Sequence, residues 1–161
     1  MTAVARTFPD YRAALLMSLE EEISGEAFFA RLSSFHGGRA SRALLMLAEV
    51  EAATASAIRP LAERHGLSVG DDAKLRASGQ AEADGRQKMS WRELVEEMAT
   101  TYPVFVQEFD AIMRLAPEED RAKLEILVAH EVAAVRFAEM ESRSDPASMA
   151  PLEEFLAAAR A

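Results

Sequence analysis

Three glutamates, Glu22, Glu51 and Glu131, stand in the middle of apolar stripes that repeat with the period of a helix. The first stripe reads Tyr11, Leu15, Ser18, Glu22, Gly25, Phe29, Leu32, and the second reads Ala40, Leu44, Leu47, Glu51, Thr54, Ile58, Leu61. The third runs through Leu124, Leu127, Glu131, Ala134 and Ala138. A stripe of this kind faces other helices, so each segment aims one carboxylate at a shared interior. Burying a carboxylate is costly unless a cation, a proton or a hydrogen-bond donor answers it. The chain must therefore fold as packed helices that supply such an answer. The competing reading is that helix rotation carries a glutamate to the bundle edge, where it reaches solvent or an arginine.

The punctuation divides the chain into helices. Residues from about 10 to 36 keep the helical period between Pro9 and Gly37-Gly38, and residues 39 to 65 repeat it up to Gly66, with a kink expected at Pro60. The short glycine turn makes these two an antiparallel hairpin. Residues 67 to 89 carry Gly70, Gly79 and Gly85 among polar side chains and are too long for a turn, so they read as a crossover along the bundle. Ser90 and Glu93 form a capping box that opens a third helix over residues 91 to 115, interrupted by Pro103. Pro117 with Glu118, Glu119 and Asp120 starts a fourth over residues 118 to 141, the acids complementing the amino-terminal dipole. A Ser/Pro hinge then precedes a short amphipathic helix at about 151 to 160, with Leu152, Phe155 and Leu156 on one face. No segment alternates with period two, so the expected class is all-α: one domain, a four-helix bundle with a single long crossover between helices two and three, plus a short C-terminal helix.

Composition narrows the function. A chain of 161 residues buries one sizeable core. The absence of cysteine removes thiolate ligands, disulfides and cysteine nucleophiles. The formal charge of -9 with no basic cluster argues against nucleic acid as a partner. No apolar run reaches the roughly 18 residues of a spanning helix, and no leader pattern precedes Pro9, so the expectation is a cytoplasmic protein without a membrane partner.

Depth supports convergence of the carboxylates. From the Gly37-Gly38 turn, Glu22 lies about 15 residues up the first helix and Glu51 about 14 down the second, roughly 22 Å each at ~1.5 Å per residue. Glu131 lies a similar distance from the Ala116-Pro117 turn, and the matching level on the third helix falls between Glu97 and Tyr102.

With these residues in hand, the chain resembles the ferritin-like superfamily, its rubrerythrin branch in particular. That family carries a four-helix bundle with one crossover, a Glu on helices one and three and a Glu-x-x-His on helices two and four, which hold two iron ions. Glu22, Gly25 and Phe29 are similar to the family's first-helix frame. Leu47 to Thr54 looks like its Glu-x-x-His run, with Glu51 at the ligand position and Thr54 where histidine belongs. Glu131 matches on the fourth helix, with Ala134 at the other histidine position. On the third, the frame Met98, Thr101, Phe105 puts methionine at the ligand position and leaves Glu97 one residue aside.

The resemblance implies a metal set of Glu22, Glu51, Glu131 and Glu97. Such a carboxylate site takes hard divalent cations such as Mg, Mn or Ca, and iron also accepts oxygen ligands. His130 precedes Glu131 and so points about 100° away, which assigns it to a helix boundary and not to the ligands. His36 and His65 close the first two helices, where capping of free carbonyls is expected. Tyr102 is expected as a packed core tyrosine near the carboxylate level, and Met46, Met98, Met113 and Met140 as core filling. Two functions stay open. One is a ferritin-like protein with an altered carboxylate metal site and an iron-binding or redox-related role. The other is a metal-free ferritin-like scaffold that acts through protein contacts, as a homodimer or with a partner at the C-terminal helix.

Overall fold

Local chemistry sets the helix ends. The carboxylate of Asp10 accepts the Ala13 amide at 2.8 Å and starts the first helix, α1, Tyr11–Ser33. The second, α2, Gly38–Arg64, continues through Pro60 without a break and closes on Gly66, whose φ of 63° is in the left-handed region. There the Gly66 amide donates to the Glu63 carbonyl at 2.9 Å and the Leu67 amide to the Ala62 carbonyl at 3.0 Å, the paired bonds of a Schellman stop. These elements belong to a computed structural model that describes residues 4–161. Among the described residues there is no strand, and five further helices follow: α3 Asp72–Asp84, α4 Trp91–Thr101, α5 Pro103–Leu115, α6 Glu118–Ser142 and α7 Ala150–Arg160.

The helices form a bundle. α1 packs on α2, α4 and α5 pack on α6, α2 meets α6, and α1 meets α5. The short helix α7 lies against both α2 and α6, where Leu152, Phe155 and Leu156 are buried as their shared face requires. The capping box forms as well, with the Ser90 amide donating to Glu93 Oε2 at 2.7 Å and the Glu93 amide to Ser90 Oγ at 3.3 Å.

The connection from 67 to 89, expected as a crossover, contains a helix of its own, α3, which packs against α1. Gly79 makes that approach possible: a Cβ there would sit 2.1 Å from the Ser24 carbonyl oxygen. The stretch from 91 to 115 is two helices, because Pro103 lacks the amide that would continue α4 and instead opens α5 at its first position. No helix among the described residues is long and apolar enough to cross a membrane.

The interior splits into two apolar clusters. One gathers Phe29, Leu44, Leu47, Met98, Phe137 and Leu152, the other Leu15, Leu19, Ile58, Ile112, Leu124 and Leu127. Full burial of such side chains contributes roughly 1.5–3 kcal/mol each. Along α1, α2 and α6 the three glutamates fall where one cluster gives way to the other.

Candidate metal centre

Glu22 on α1, Glu51 on α2 and His130 on α6 converge, each offering a ligand atom within 4.8 Å of the others. Glu22 is 2% exposed and His130 1%. Glu22 Oε1 lies 3.2 Å from His130 Nε2, and Glu131 Oε2 lies 3.7 Å from the same nitrogen. Glu22 and Glu51 lie side by side, each with an oxygen within 4.8 Å of the other's. Gly25, one turn beyond Glu22, leaves the room for this: a Cβ at that position would stand 2.5 Å from Glu51 Oε2.

The imidazole is oriented from behind. His130 Nδ1 faces the Ile126 carbonyl at 3.3 Å, and because a carbonyl only accepts, that nitrogen carries a proton. Nε2 is thereby turned to the carboxylates, with the ring held in place by the backbone carbonyl behind it. Phe109 packs against the ring, edge to face, at 5.2 Å.

Burial dominates the electrostatics. It pushes the Glu22 carboxyl up to about 8, although the neighbouring carboxyl of Glu51 favours its charged form. Glu51 is pushed well above the carboxylate range by burial and then by the neighbouring charge of Glu22, with His130 opposing. Glu131 is pushed up to about 8 by burial, again against His130. The ring of Tyr102 on the facing helix feels the same field, and its phenol is raised by burial and then by Glu131 and Glu51. Within the cluster two buried oxygens have no hydrogen-bond partner, Glu22 Oε2 and Glu131 Oε1; Asp120 Oδ1, far from it, is a third. The cluster thus lacks protein donors for its own acceptors.

These residues form the floor of a cavity of about 580 Å³ between α1 and the α4–α5 side of the bundle. Phe28, Phe29, Tyr102, Phe105 and Phe109 contribute its walls. Arg6, from the segment before α1, spans the rim: its Nη2 donates to Glu108 Oε2 on α5 at 2.8 Å and to Glu21 Oε2 on α1 at 3.0 Å. On another part of the rim Arg86 Nη2 pairs with Glu97 Oε1 at 2.8 Å, and its guanidinium lies 5.4 Å from the centre of the Phe28 ring.

The structure brings three predicted residues, Glu22, Glu51 and Glu131, to one interior level. Glu97 does not join them, since it sits half-buried at the rim and gives its carboxylate to Arg86. Met98 turns into the apolar core, 4% exposed. Thr54 is fully buried and returns its hydroxyl to the Val50 carbonyl at 2.9 Å, and Ala134 packs in the core.

The expectation for His130 is overturned. It is a member of the cluster because α6 is covered on more than one side, so that two adjacent stripes are buried and residues about 100° apart both face protein. The signal was available in Leu127, His130, Ala134 and Phe137, a second stripe at helical spacing that the single-stripe reading passed over. Arg6 and the buried Glu108 were also missed; Glu108 shares the α5 face with Phe105, Phe109 and Ile112, but the segment holding Arg6 has no periodicity to read.

The other histidines do different work. His65 stands at the C-cap of α2 as expected, yet its ring bonds Asp120 Oδ2 at 2.7 Å, while His36 turns its ring edge to Trp91 at 6.3 Å. The chain matches no family model, no curated protein and no solved structure.

Proposed function

We propose that this chain is a ferritin-like, rubrerythrin-like metal-binding protein whose core holds a divalent cation on Glu22, Glu51, Glu131 and His130, iron among the cations that fit, with a metal-binding or redox-related role. The observation that carries this reading is the pair of buried, unpartnered oxygens, Glu22 Oε2 and Glu131 Oε1, beside a histidine nitrogen already turned toward them. A cation supplies what the cluster lacks. The donor set, carboxylate oxygens with one imidazole, suits iron and manganese as well as harder cations. Bound there, iron would bring one-electron redox chemistry and the other cations Lewis-acid chemistry. The protein's own part is to gather the three carboxylates at one level, to fix the imidazole through Ile126, and to flank the site with apolar clusters on either side.

A second reading, the metal-free scaffold acting through protein contacts, is favoured by Thr54 and Ala134, which stand where the resemblance asks for imidazoles, and by the proton that Glu51 can share with Glu22. Metal analysis of protein purified without chelator separates the two. The metal reading expects a bound divalent cation that Glu51→Gln loses. Protein that comes out metal-free and stays so after dialysis against Fe(II) or Mn(II) leaves the scaffold reading.

A further inference from the structure

The cavity is much larger than a cation requires. A water takes about 30 Å³ of liquid volume, so an ion with its waters leaves most of the 580 Å³ free. Cavities of this size hold small organic molecules. The charges around it restrict which. Arg6 is already shared between Glu21 and Glu108, and Arg86 between Glu82 and Glu97, so each rim arginine is outnumbered by carboxylates. Among the described residues, no arginine or lysine lining the cavity is left without a carboxylate partner for an anion to use. The floor adds Glu22, 2% exposed, and Glu131, 7% exposed, each with one buried oxygen that nothing in the protein answers. A neutral apolar molecule brings no donor to these carboxylates and leaves their shortfall as it stands. The walls are phenyl faces and edges, from Phe28, Phe29, Phe105 and Phe109 with Tyr102, and such rings attract a desolvated cation.

We propose that this cavity binds a small organic cation, a protonated primary or secondary amine on an apolar or aromatic body. Its N–H groups donate to the carboxylate oxygens of Glu22 and Glu131, and its body lies against the phenyl rings. The inference does not rest on the metal reading. Ammonium and metal ion use the same floor oxygens, so the two compete where both bind.

The test uses full-length protein freed of metal by chelation, titrated with benzylamine, with the neutral benzyl alcohol and with the anionic phenylacetate, and followed by calorimetry and NMR shifts. Benzylamine is expected to bind about tenfold or more tightly than benzyl alcohol, because only the ammonium forms an ion pair with a floor carboxylate and draws it into the ionised form, with phenylacetate weakest. Val104→Trp fills the cavity from its wall and replaces none of the floor carboxylates, and should weaken benzylamine by about tenfold or more while Mn(II) affinity stays unchanged. If that variant fails to fold, Thr101→Phe fills the same wall. Equal binding of amine and alcohol, no amine binding at millimolar concentration, or amine binding indifferent to the filled wall each overturns the proposal. Mn(II) binding without benzylamine binding defeats this inference alone, and the reverse result defeats the metal reading alone.

Discussion

The protein buries two carboxylate–histidine groups, and it treats them in opposite ways. At one end of the bundle Asp120 is fully buried, and Tyr11 Oη donates to its Oδ2 at 2.7 Å while His65 Nε2 meets the same oxygen at 2.7 Å. Arg64 closes an ion pair on the other oxygen. That carboxylate ties α1, α2 and α6 together: Oδ2 takes both hydrogen bonds, while Oδ1 is met by the Arg64 ion pair alone and has no hydrogen bond. At mid-bundle, Glu22, Glu51 and Glu131 share one histidine and leave two oxygens unanswered. A buried charge with its partners in place is a structural tie, whereas one left short of partners, beside a cavity, is where we propose that a ligand binds.

The sharpest way to break this contrast is to remove Asp120. Asp120→Ala strands the buried Tyr11 hydroxyl and the His65 ring and should destabilise by about 3 kcal/mol, read from denaturant unfolding, with no change in divalent-cation affinity. An equal loss of cation binding would mean that the two groups are not independent.

The pH dependence of the metal-free protein comes next. Glu22 and Glu131 are pushed up to about 8, against about 4.3 for glutamate in the unfolded chain. Raised acids bind more protons folded than unfolded, so their effect is most favourable below the unfolded pKa, and stability falls as pH rises through the folded value. The melting temperature of chelated protein should therefore decline between about pH 4.5 and pH 8. A flat or rising profile over that window contradicts the burial of the cluster.

Glu51→Gln divides the two states of the site. Without metal it removes one of the crowded acids and should raise the melting temperature near neutral pH. With a divalent cation present it should lower the melting temperature relative to the parent, because a ligand is gone.

The smallest expected change is in Gly25→Ala. Alanine favours the helix by up to about 1 kcal/mol over glycine, but the new Cβ would meet the Glu51 carboxylate and turn it aside. Stability should barely move or rise slightly, while cation affinity falls. If affinity is untouched, the close approach at Gly25 has no part in shaping the site.

Much of this contrast was legible in the sequence, for physical reasons that also explain its gaps. The convergence of Glu22 and Glu51 followed from equal distances to one tight turn, since helix rise is nearly constant and a two-glycine hairpin leaves little freedom of register. The stop at Gly66 and the capping box at Ser90 followed from local backbone demands. His130 did not follow, because one stripe per helix is the expectation for a helix with one covered side, and α6 is covered on several. Glu97 was included through the resemblance, one residue aside from its third-helix frame, whereas rotation of α4 sends Met98 into the core and Glu97 to Arg86. Asp120 was read as a dipole partner at a helix start, and it is buried because Tyr11 and His65, distant in sequence, fold over it.

The most direct test of the unanswered cluster is the melting temperature of chelated protein at neutral pH, with and without added Mn(II) or, anaerobically, Fe(II), for the parent and for Glu51→Gln. A cation that binds only the folded chain, at a hundredfold excess over its Kd, adds about 2.7 kcal/mol of stability, so the parent should melt several degrees higher with metal while Glu51→Gln should not respond. A parent whose melting temperature is unchanged by every divalent cation tried, or a Glu51→Gln variant that gains as much as the parent, would contradict the account.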